Sequence, residues 1–527
     1  MSTRRPDPLA RREPRTRRLR RAPGSAAGRW GGAVGGAAIA MARDVRVLTG
    51  LALAALVALG AAIRLWAFGG LGFGLGSDDA AYVAVAQNLA GGSLPDGQAE
   101  WFGARAVFLW PVALVFRIAG ADDYRAVAWP LACSLLSIVA AFLVGRQIAG
   151  RRPALVAAGL VAVAPVEVLW ATRLRPDAVM PAFVALAVWA ALRARTSARA
   201  TWWLAAAGAL VGAAWSARET ALMMLPVIVL AAWPALRGAW RRWGALAVGL
   251  VAVPLAEVVV FAFDGRPLWP LTTTAGAGSF RSPIDGWGAT TAYLAQMVTG
   301  VLDPESPLFL ILPVVLIAGA VAIVRRDRAA VLPAAWLAWG FIYLEIGTLV
   351  SVDKPVRFLT LLTVPTALLI AIALDGRASL LMVPVLAIVT VMVMRPRIDA
   401  GNRGTNVVLV SAVANALRDL PRAPVLAADY TWWAKLNAFL PRDRLVVRRS
   451  IDPAYLDTAG RERARRLEPL PDPADYRGGY VVNGPVRATS GWPSNWGLAR
   501  SAIDAIPRGQ LTEVARVGRA VIWRWGP

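Results

Sequence analysis

Long apolar runs, interrupted by short polar stretches, fill the chain between residues 47 and 394. Runs of roughly 17–22 apolar residues, wound as α-helices, are long enough to cross the hydrocarbon core of a bilayer. The pattern therefore predicts a polytopic α-helical membrane protein with about eleven spanning helices. We expect the spans at 47–68, 125–147, 153–171, 178–193, 201–217, 219–236, 244–263, 307–324, 329–350, 355–374 and 378–394.

One apolar run is too short to belong to that set. Residues 105–119 provide only about 14 apolar positions, which is below the length of a spanning helix. This run is interpreted as a re-entrant or interfacial segment.

The pattern changes after residue 394. Polar, Pro-punctuated sequence alternates short β-like runs with helical ones, which predicts a small α/β domain over 395–527. No phosphate-binding loop, dinucleotide fingerprint or nucleophile elbow occurs in it. Strands are expected at 406–410, 424–427, 444–448, 479–483 and 520–525, and helices at 411–420 and 496–506.

Composition supports the membrane interpretation and explains the charge. The chain is 57% hydrophobic and carries a net charge of +24. Arginines concentrate in alternate turns between the predicted spans, as expected for cytoplasmic loops of a plasma-membrane protein, so the charge does not indicate nucleic-acid binding. The amino terminus is then cytoplasmic and the region after residue 394 is extracytoplasmic.

The first 45 residues form a separate, strongly basic segment. Arginines alternate there with Pro and Gly without apolar periodicity, which predicts a disordered cytoplasmic tail over 1–45. It is interpreted either as a binder of anionic membrane lipids or as a topogenic segment. Met41 as the true start is a further alternative.

Two absences limit the chemistry. The chain contains no histidine, which excludes a histidine general base and histidine-ligated zinc. Its one cysteine, Cys133, lies within an apolar run, so no intramolecular disulfide forms. Acid–base chemistry is left to Asp, Glu, Tyr, Lys and Arg.

Charged residues at the predicted outer ends of the helices are the candidate site. The positive-inside rule disfavours arginine there, so these charges point to function. The set consists of Asp78, Asp79, Arg173, Arg175, Asp177, Arg218, Glu219, Asp353, Lys354 and Arg357.

Each of these charges also has a purely structural interpretation. Ser77 is a suitable N-cap, and two acids in the next positions would stabilise a helix dipole. The arginines would equally serve as interfacial anchors, and Arg218 and Glu219 as a surface ion pair.

Four short motifs carry a resemblance to a known family. Asp78-Asp79-Ala-Ala-Tyr82 resembles the Asp-Glu-x-x-Tyr loop of GT-C superfamily glycosyltransferases of the protein O-mannosyltransferase and aminoarabinose transferase branch, with Asp79 in place of Glu. The segments Arg173–Asp177, Arg218-Glu219 and Pro355–Phe358 are similar to later motifs of that family. The likeness covers about residues 47–394.

The resemblance implies a fold and a reaction. It implies a GT-C-like transmembrane domain over 46–394, with the acids in an outer loop at 69–124 and a second outer loop at 264–306. The implied reaction is inverting transfer of a sugar from a polyprenyl-phosphate donor to an acceptor hydroxyl outside the cytoplasm. The sequence does not identify the sugar, and it does not decide whether the acceptor is a cell-envelope glycan, a lipid or a protein.

Roles for individual residues follow from the same resemblance. Asp78 would be the general base, and Asp79 would assist it or ligate a divalent metal if one is used; nothing in the sequence demands a metal. Arg218, Lys354 and Arg357 would neutralise the leaving phosphate. Arg175, Asp177 and Glu219 would shape the donor pocket, with Tyr82 contributing to an acceptor site or the pocket wall.

A different class of protein stays open as the alternative. A transporter or lipid-carrier translocase would also be polytopic, but it would place ionisable residues near the membrane midplane, often in repeated halves. Here no internal repeat is evident and the candidate charges lie at helix ends, which favours the enzyme.

Overall fold

The computed structural model describes residues 27–71, 77–95, 103–268, 318–321, 325, 327–344, 356–374, 378–403, 410–427, 436, 440, 477–483, 506–518 and 520–526. Contacts divide the chain into two compact units, Met1–Leu51 and Ala52–Pro527. The second unit contains every element that bears on the candidate site.

Helices make up most of the described chain. They are α1 (Ala27–Leu71), α2 (Ser77–Ala90), α3 (Ala106–Ala119), α4 (Asp123–Ala126), α5 (Ala128–Ile148), α6 (Arg151–Val163), α7 (Pro165–Ala171), α8 (Val179–Ala194), α9 (Ala200–Ala217), α10 (Leu225–Leu236), α11 (Trp240–Phe263), α12 (Val331–Ile342), α13 (Thr363–Ala373), α14 (Ala378–Arg403) and α15 (Val410–Asp419). Short 3-10 segments at Glu219–Met224 and Val356–Leu362 lead into α10 and α13.

Apolar helices of spanning length are present, which confirms the membrane-protein class. Within the described residues, four stretches are long and apolar enough to cross a membrane: Val45–Phe68, Ala128–Ile148, Glu219–Leu236 and Trp240–Phe263. The total of about eleven spans stays a prediction, since several expected spans coincide with shorter apolar helices and 307–324 lies largely outside the described residues.

The expected span at 153–171 is a bent pair of helices. Helices α6 and α7 meet at Ala164 with an angle of 54°. Pro165 explains the break, because it has no N–H to continue the helical ladder. The expected span at 355–374 is likewise not one continuous α-helix. It begins with the 3-10 segment Val356–Leu362 and continues as α13.

Small residues allow the helices to approach closely. Gly208 and Gly212 on α9 lie against the backbone of α11, and a Cβ at Gly208 would overlap the carbonyl oxygen of Leu246. A Cβ at Gly249 would overlap the carbonyl of Ala205 in the same way. Backbone-to-backbone contact of this kind is typical of glycine-mediated packing between membrane helices.

Arginine side chains outside the candidate set donate to backbone carbonyls of the helices. Arg195 donates to the carbonyls of Leu230 (3.1 Å) and Ala231 (2.5 Å) in the middle of α10, where Pro234 has no N–H to offer the carbonyl of Leu230. Arg325 donates to the carbonyl of Ala373 (2.9 Å) at the end of α13, where terminal carbonyls lack helical donors. Both arginines belong to turns predicted to be cytoplasmic.

The carboxyl-terminal part contains a four-stranded sheet. Its strands are β1 (Val425–Ala427), β2 (Tyr480–Asn483), β3 (Leu511–Val517) and β4 (Ala520–Trp525), in the order β1-β2-β4-β3. The first pair is parallel and the other two pairs are antiparallel.

Sequence-based expectations match part of this sheet. The strands expected at 424–427, 479–483 and 520–525 coincide with β1, β2 and β4, and the helix expected at 411–420 coincides with α15. Strand β3 was not predicted. The strand expected at 406–410 falls outside the described residues except Val410, which begins α15; 444–448 lies outside them entirely, and the helix at 496–506 does so except for Ile506.

One hydrophobic cluster connects this sheet with the helices near the acidic pair. Tyr82 on α2 and Phe108 on α3 belong to the same buried cluster as Leu417 on α15, Tyr480 on β2 and Ile522 on β4. The carboxyl-terminal part therefore shares a core with the elements that carry the candidate site. Its extracytoplasmic location stays a prediction.

Candidate active site

Helix α2 places one acid of the pair in the protein interior. The helix begins at Ser77, so Asp78 and Asp79 lie in its first turn. Asp79 is 2% exposed, as is Tyr82 three residues later, and Val83 is fully buried. Positions i, i+3 and i+4 share one helix face, so Asp79 belongs to the buried face. The side chain of Asp78 lies outside the described residues.

An ion pair joins Asp79 to the loop between α7 and α8. Nε of Arg175 lies 2.6 Å from Oδ1 of Asp79. The structure thus brings together two candidate residues that are far apart in sequence. The charge of Asp79 also acts on Arg173. The guanidinium pKa of Arg173 is lowered, chiefly by burial and also by the charge of Arg175, and the charge of Asp79 offsets part of this effect.

The backbone of this loop is fixed by its own turns and by a distant segment. The Arg175 amide donates to the carbonyl of Arg173 (2.9 Å), and the Val179 amide donates to that of Pro176 (3.0 Å). The Thr360 hydroxyl donates to the carbonyl of Asp177 (2.8 Å). The loop is thereby attached to the 3-10 segment that also carries Arg357.

A second ion pair lies beside the first. Arg218, which caps the carboxyl end of α9, donates through one terminal nitrogen to Oδ1 of Asp177. Its guanidinium carbon lies 4.1 Å from the centroid of the Phe358 ring. A cation over an aromatic face is attracted by the ring quadrupole, so Arg218 is held between a carboxylate and a ring.

A third group of contacts contains an arginine that the sequence reasoning missed. Arg105, at the start of the short helix α3, donates to the Tyr82 hydroxyl and lies 3.4 Å from the Glu219 carboxylate. Its guanidinium carbon is 5.7 Å from the Tyr82 ring centroid. The available signal was an arginine at the head of a segment already assigned to the outer side.

The side chains of two expected phosphate ligands, Arg357 and Lys354, lie outside the described residues. Arg357 lies in the 3-10 segment Val356–Leu362, next to Phe358, but its side chain is outside the described residues, and Lys354 is outside them altogether.

Among the described residues, no group of three or more His, Cys, Asp or Glu side chains is placed to hold a metal ion. A metal role for Asp79 stays a prediction.

The contacts together form a charged cluster at one end of the helical bundle. Among the described side chains, ion pairs join three arginines (Arg105, Arg175 and Arg218) to three carboxylates (Glu219, Asp79 and Asp177), and the charge of Asp79 also acts on Arg173. A guanidinium carries five N–H donors, so one held by a carboxylate still presents donors to a phosphate oxygen. The arrangement suits an anionic group placed beside a carboxylate.

Comparisons with known proteins lead to the same family of folds. The family model described as dolichyl-phosphate-mannose-protein mannosyltransferase matches residues 106–261. No curated protein sequence matches the chain.

Solved structures resemble nearly the whole chain. ArnT from Cupriavidus metallidurans bound to undecaprenyl phosphate has a TM-score of 0.58 at 15% identity, covering 89% of this chain and 97% of ArnT. The same protein in the apo state has a TM-score of 0.56 at 15% identity, with coverages of 90% and 98%. The apo oligosaccharyltransferase of Archaeoglobus fulgidus has a TM-score of 0.48 at 12% identity, and the aligned region covers 83% of this chain and 69% of the oligosaccharyltransferase. This similarity is too low to support the fold assignment.

The family model covers two of the four sequence motifs, those at 173–177 and 218–219, and the structural similarity at 15% identity extends the likeness of fold to most of the chain. The predicted resemblance is confirmed: the chain has the fold of GT-C superfamily glycosyltransferases.

Proposed function

We propose that this protein is a membrane glycosyltransferase that moves a sugar from a polyprenyl-phosphate donor to an acceptor hydroxyl on the extracytoplasmic face. The observation that carries the proposal is the charged cluster of arginines and carboxylates at one end of a GT-C fold. A similar structure is described as bound to undecaprenyl phosphate, which is the lipid such a reaction would release.

In this mechanism Asp78 removes the proton from the acceptor hydroxyl. The acceptor oxygen attacks the anomeric carbon, the bond from that carbon to the phosphate oxygen breaks, and the configuration inverts. The proton ends on the Asp78 carboxylate and the electron pair leaves with polyprenyl phosphate. Asp78 is favoured over Asp79 because the Asp79 carboxylate is already engaged in the ion pair with Arg175.

The arginines stabilise the leaving group. Negative charge grows on the phosphate as the glycosidic bond breaks, and cations fixed beforehand stabilise that charge without reorganisation. Arg218 is fixed by Asp177 and the Phe358 ring. We assign Arg218, Lys354 and Arg357 to the phosphate, and Arg175, Asp177, Glu219 and Tyr82 to the donor pocket, with Arg105 added to that set.

The test is release of free polyprenyl phosphate from a panel of polyprenyl-phosphate sugars incubated with the purified protein and an acceptor mixture. Asp78→Asn is expected to reduce the rate about 10²- to 10⁴-fold, the usual contribution of a general base. Asp122→Asn, at a partly exposed N-cap where Asn caps equally well, is the matched control and should retain the wild-type rate. Full transfer by Asp78→Asn would remove the general-base assignment.

A transporter without chemistry is the second candidate, and the bend between α6 and α7 favours it, because interrupted helices are common in transporters. The same experiment separates the two. A transporter moves the lipid across proteoliposomes with its sugar still attached, whereas the enzyme releases polyprenyl phosphate.

A further inference from the structure

The break between α6 and α7 weakens the helical ladder at two backbone carbonyls. Pro165 has no N–H to offer the carbonyl of Val161, which keeps only a long bond from the Ala164 amide (3.4 Å), and the 54° bend interrupts the ladder at the next carbonyl, that of Ala162. In the apolar interior of a membrane protein each such carbonyl needs a partner from elsewhere.

A fully buried arginine supplies those donors. Arg64 of α1 donates to the carbonyl of Ala162 (2.7 Å) and to that of Val161 (3.3 Å). Its Nε donates to the Ser134 hydroxyl on α5 (3.0 Å). One guanidinium therefore connects the bend to two other helices.

The network continues to a buried acid on α7 itself. The Ser134 hydroxyl donates to Oε2 of Glu167 (2.8 Å), and Glu167 is 1% exposed. Ser134 thus bridges a cation and an anion within the largest apolar cluster of the helical bundle. Burying such a pair brings little net stability, because desolvation offsets the attraction, so stability alone does not account for it.

The element held by this network carries part of the candidate site. Helix α7 has only seven residues and runs directly into the loop that bears Arg173, Arg175 and Asp177. It also packs against the 3-10 segment Val356–Leu362, which contains Thr360 and Phe358. A rotation of α7 at the bend would displace both ion pairs of the cluster.

We infer that Arg64, Ser134 and Glu167 are positioning residues that fix the direction of α7 and thereby hold the 172–178 loop against Asp79 and Arg218. The consequence for sugar transfer rests on the proposed function; the effect on the loop does not. A network that only stabilised the bundle would affect unfolding without a local effect at this loop.

The variants separate stability from positioning. Arg64→Met leaves Glu167 buried without its cation and should unfold at lower temperature. The double variant Arg64→Met/Glu167→Gln removes both charges and should recover most of the thermal midpoint while the bend stays without its donors. Ser134→Ala interrupts the bridge, and Ser137→Ala, one turn along α5 and equally buried, is its matched control.

The first measurement is hydrogen–deuterium exchange of the protein in nanodiscs. We expect faster exchange confined to residues 165–178 in the double variant and in Ser134→Ala, and wild-type exchange in Ser137→Ala. Wild-type exchange at 165–178 in the double variant would overturn the inference, and so would acceleration spread evenly over all helices.

The second measurement is steady-state transfer with a polyprenyl-phosphate sugar. Displacement of a positioning loop costs up to about 100-fold in kcat/KM, and we expect most of it in KM for the donor. Unchanged KM in the double variant would contradict the inference. If the wild-type protein transfers no sugar, the proposed function fails, and the exchange result still decides the positioning role.

Discussion

Arg218 shows how one side chain connects three separate segments of this protein. It follows α9, pairs with Asp177 from the loop before α8, and lies against Phe358 from the segment before α13. Asp177 in turn accepts from Thr360 through its backbone. Because both charges are almost completely buried, removing either partner leaves the other charge in an apolar environment.

We therefore expect Asp177→Asn to be strongly destabilising. Breaking a buried pair costs about 3–5 kcal/mol, which should appear as a clearly lower thermal midpoint in detergent and as weaker binding of undecaprenyl phosphate. Asp122→Asn, which alters a partly exposed pair with Arg125, should change stability by about 0–1 kcal/mol. Equal midpoints for the two variants would contradict this account of Asp177.

The charged residues could be found from the sequence, but their partners could not. Arginines at the outer helix ends stand out because topology disfavours them there, and the acids stand out beside them. Which arginine meets which acid depends on how loops far apart in sequence converge, so the Arg175–Asp79 pair was not foreseen. Arg105 was missed because its segment was judged by apolar length alone.

At the level of elements, two features of the helices have visible sequence causes. Pro165 interrupts an apolar run and produces a bend within residues 153–171, which were predicted to form one span. The glycines at 208 and 212 show the small-residue spacing of close helix contacts, yet the backbone that they meet, at Leu246 and Leu250 of α11, is identified only by the structure. Strand β3 escaped prediction because exposed residues weaken its apolar alternation.

The crossing of α9 and α11 should not accept a methyl group. Gly208→Ala and Gly249→Ala each place a Cβ against a backbone carbonyl, so we expect a loss of about 1–3 kcal/mol, seen as a lower thermal midpoint. Gly244→Ala on the same helix α11 meets nothing within 4 Å and is the matched control. There the better helix propensity of alanine should leave the midpoint unchanged or slightly raised.

On the scale of the whole molecule, the two ends of the bundle differ in how they use arginine. At the site, arginines face carboxylates. Elsewhere, Arg242 and Arg325 donate to terminal carbonyls of α10 and α13, and Arg195 donates to carbonyls in the middle of α10. The first arrangement suits an anionic ligand, and the second suits turns that anchor helices on the side predicted to be cytoplasmic.

Sidedness can be measured because the chain has a single, buried cysteine. In a Cys133→Ala background, Ser93→Cys should react with a membrane-impermeant maleimide added to intact cells. Ala198→Cys, exposed in the turn after α8, should react only after the cells are permeabilised. Reversed labelling would place the acidic pair inside the cytoplasm and refute the extracytoplasmic site.

The hydrogen bond from Thr360 to Asp177 also constrains how the protein is made, because 183 residues separate its two ends. At about 5–20 residues per second, the ribosome needs roughly 10–40 s to reach Thr360 after adding Asp177. During that interval the loop lacks this anchor and the Phe358 ring is not yet available to Arg218. The nascent chain must keep these charges hydrated or in contact with the insertion machinery until its later helices arrive.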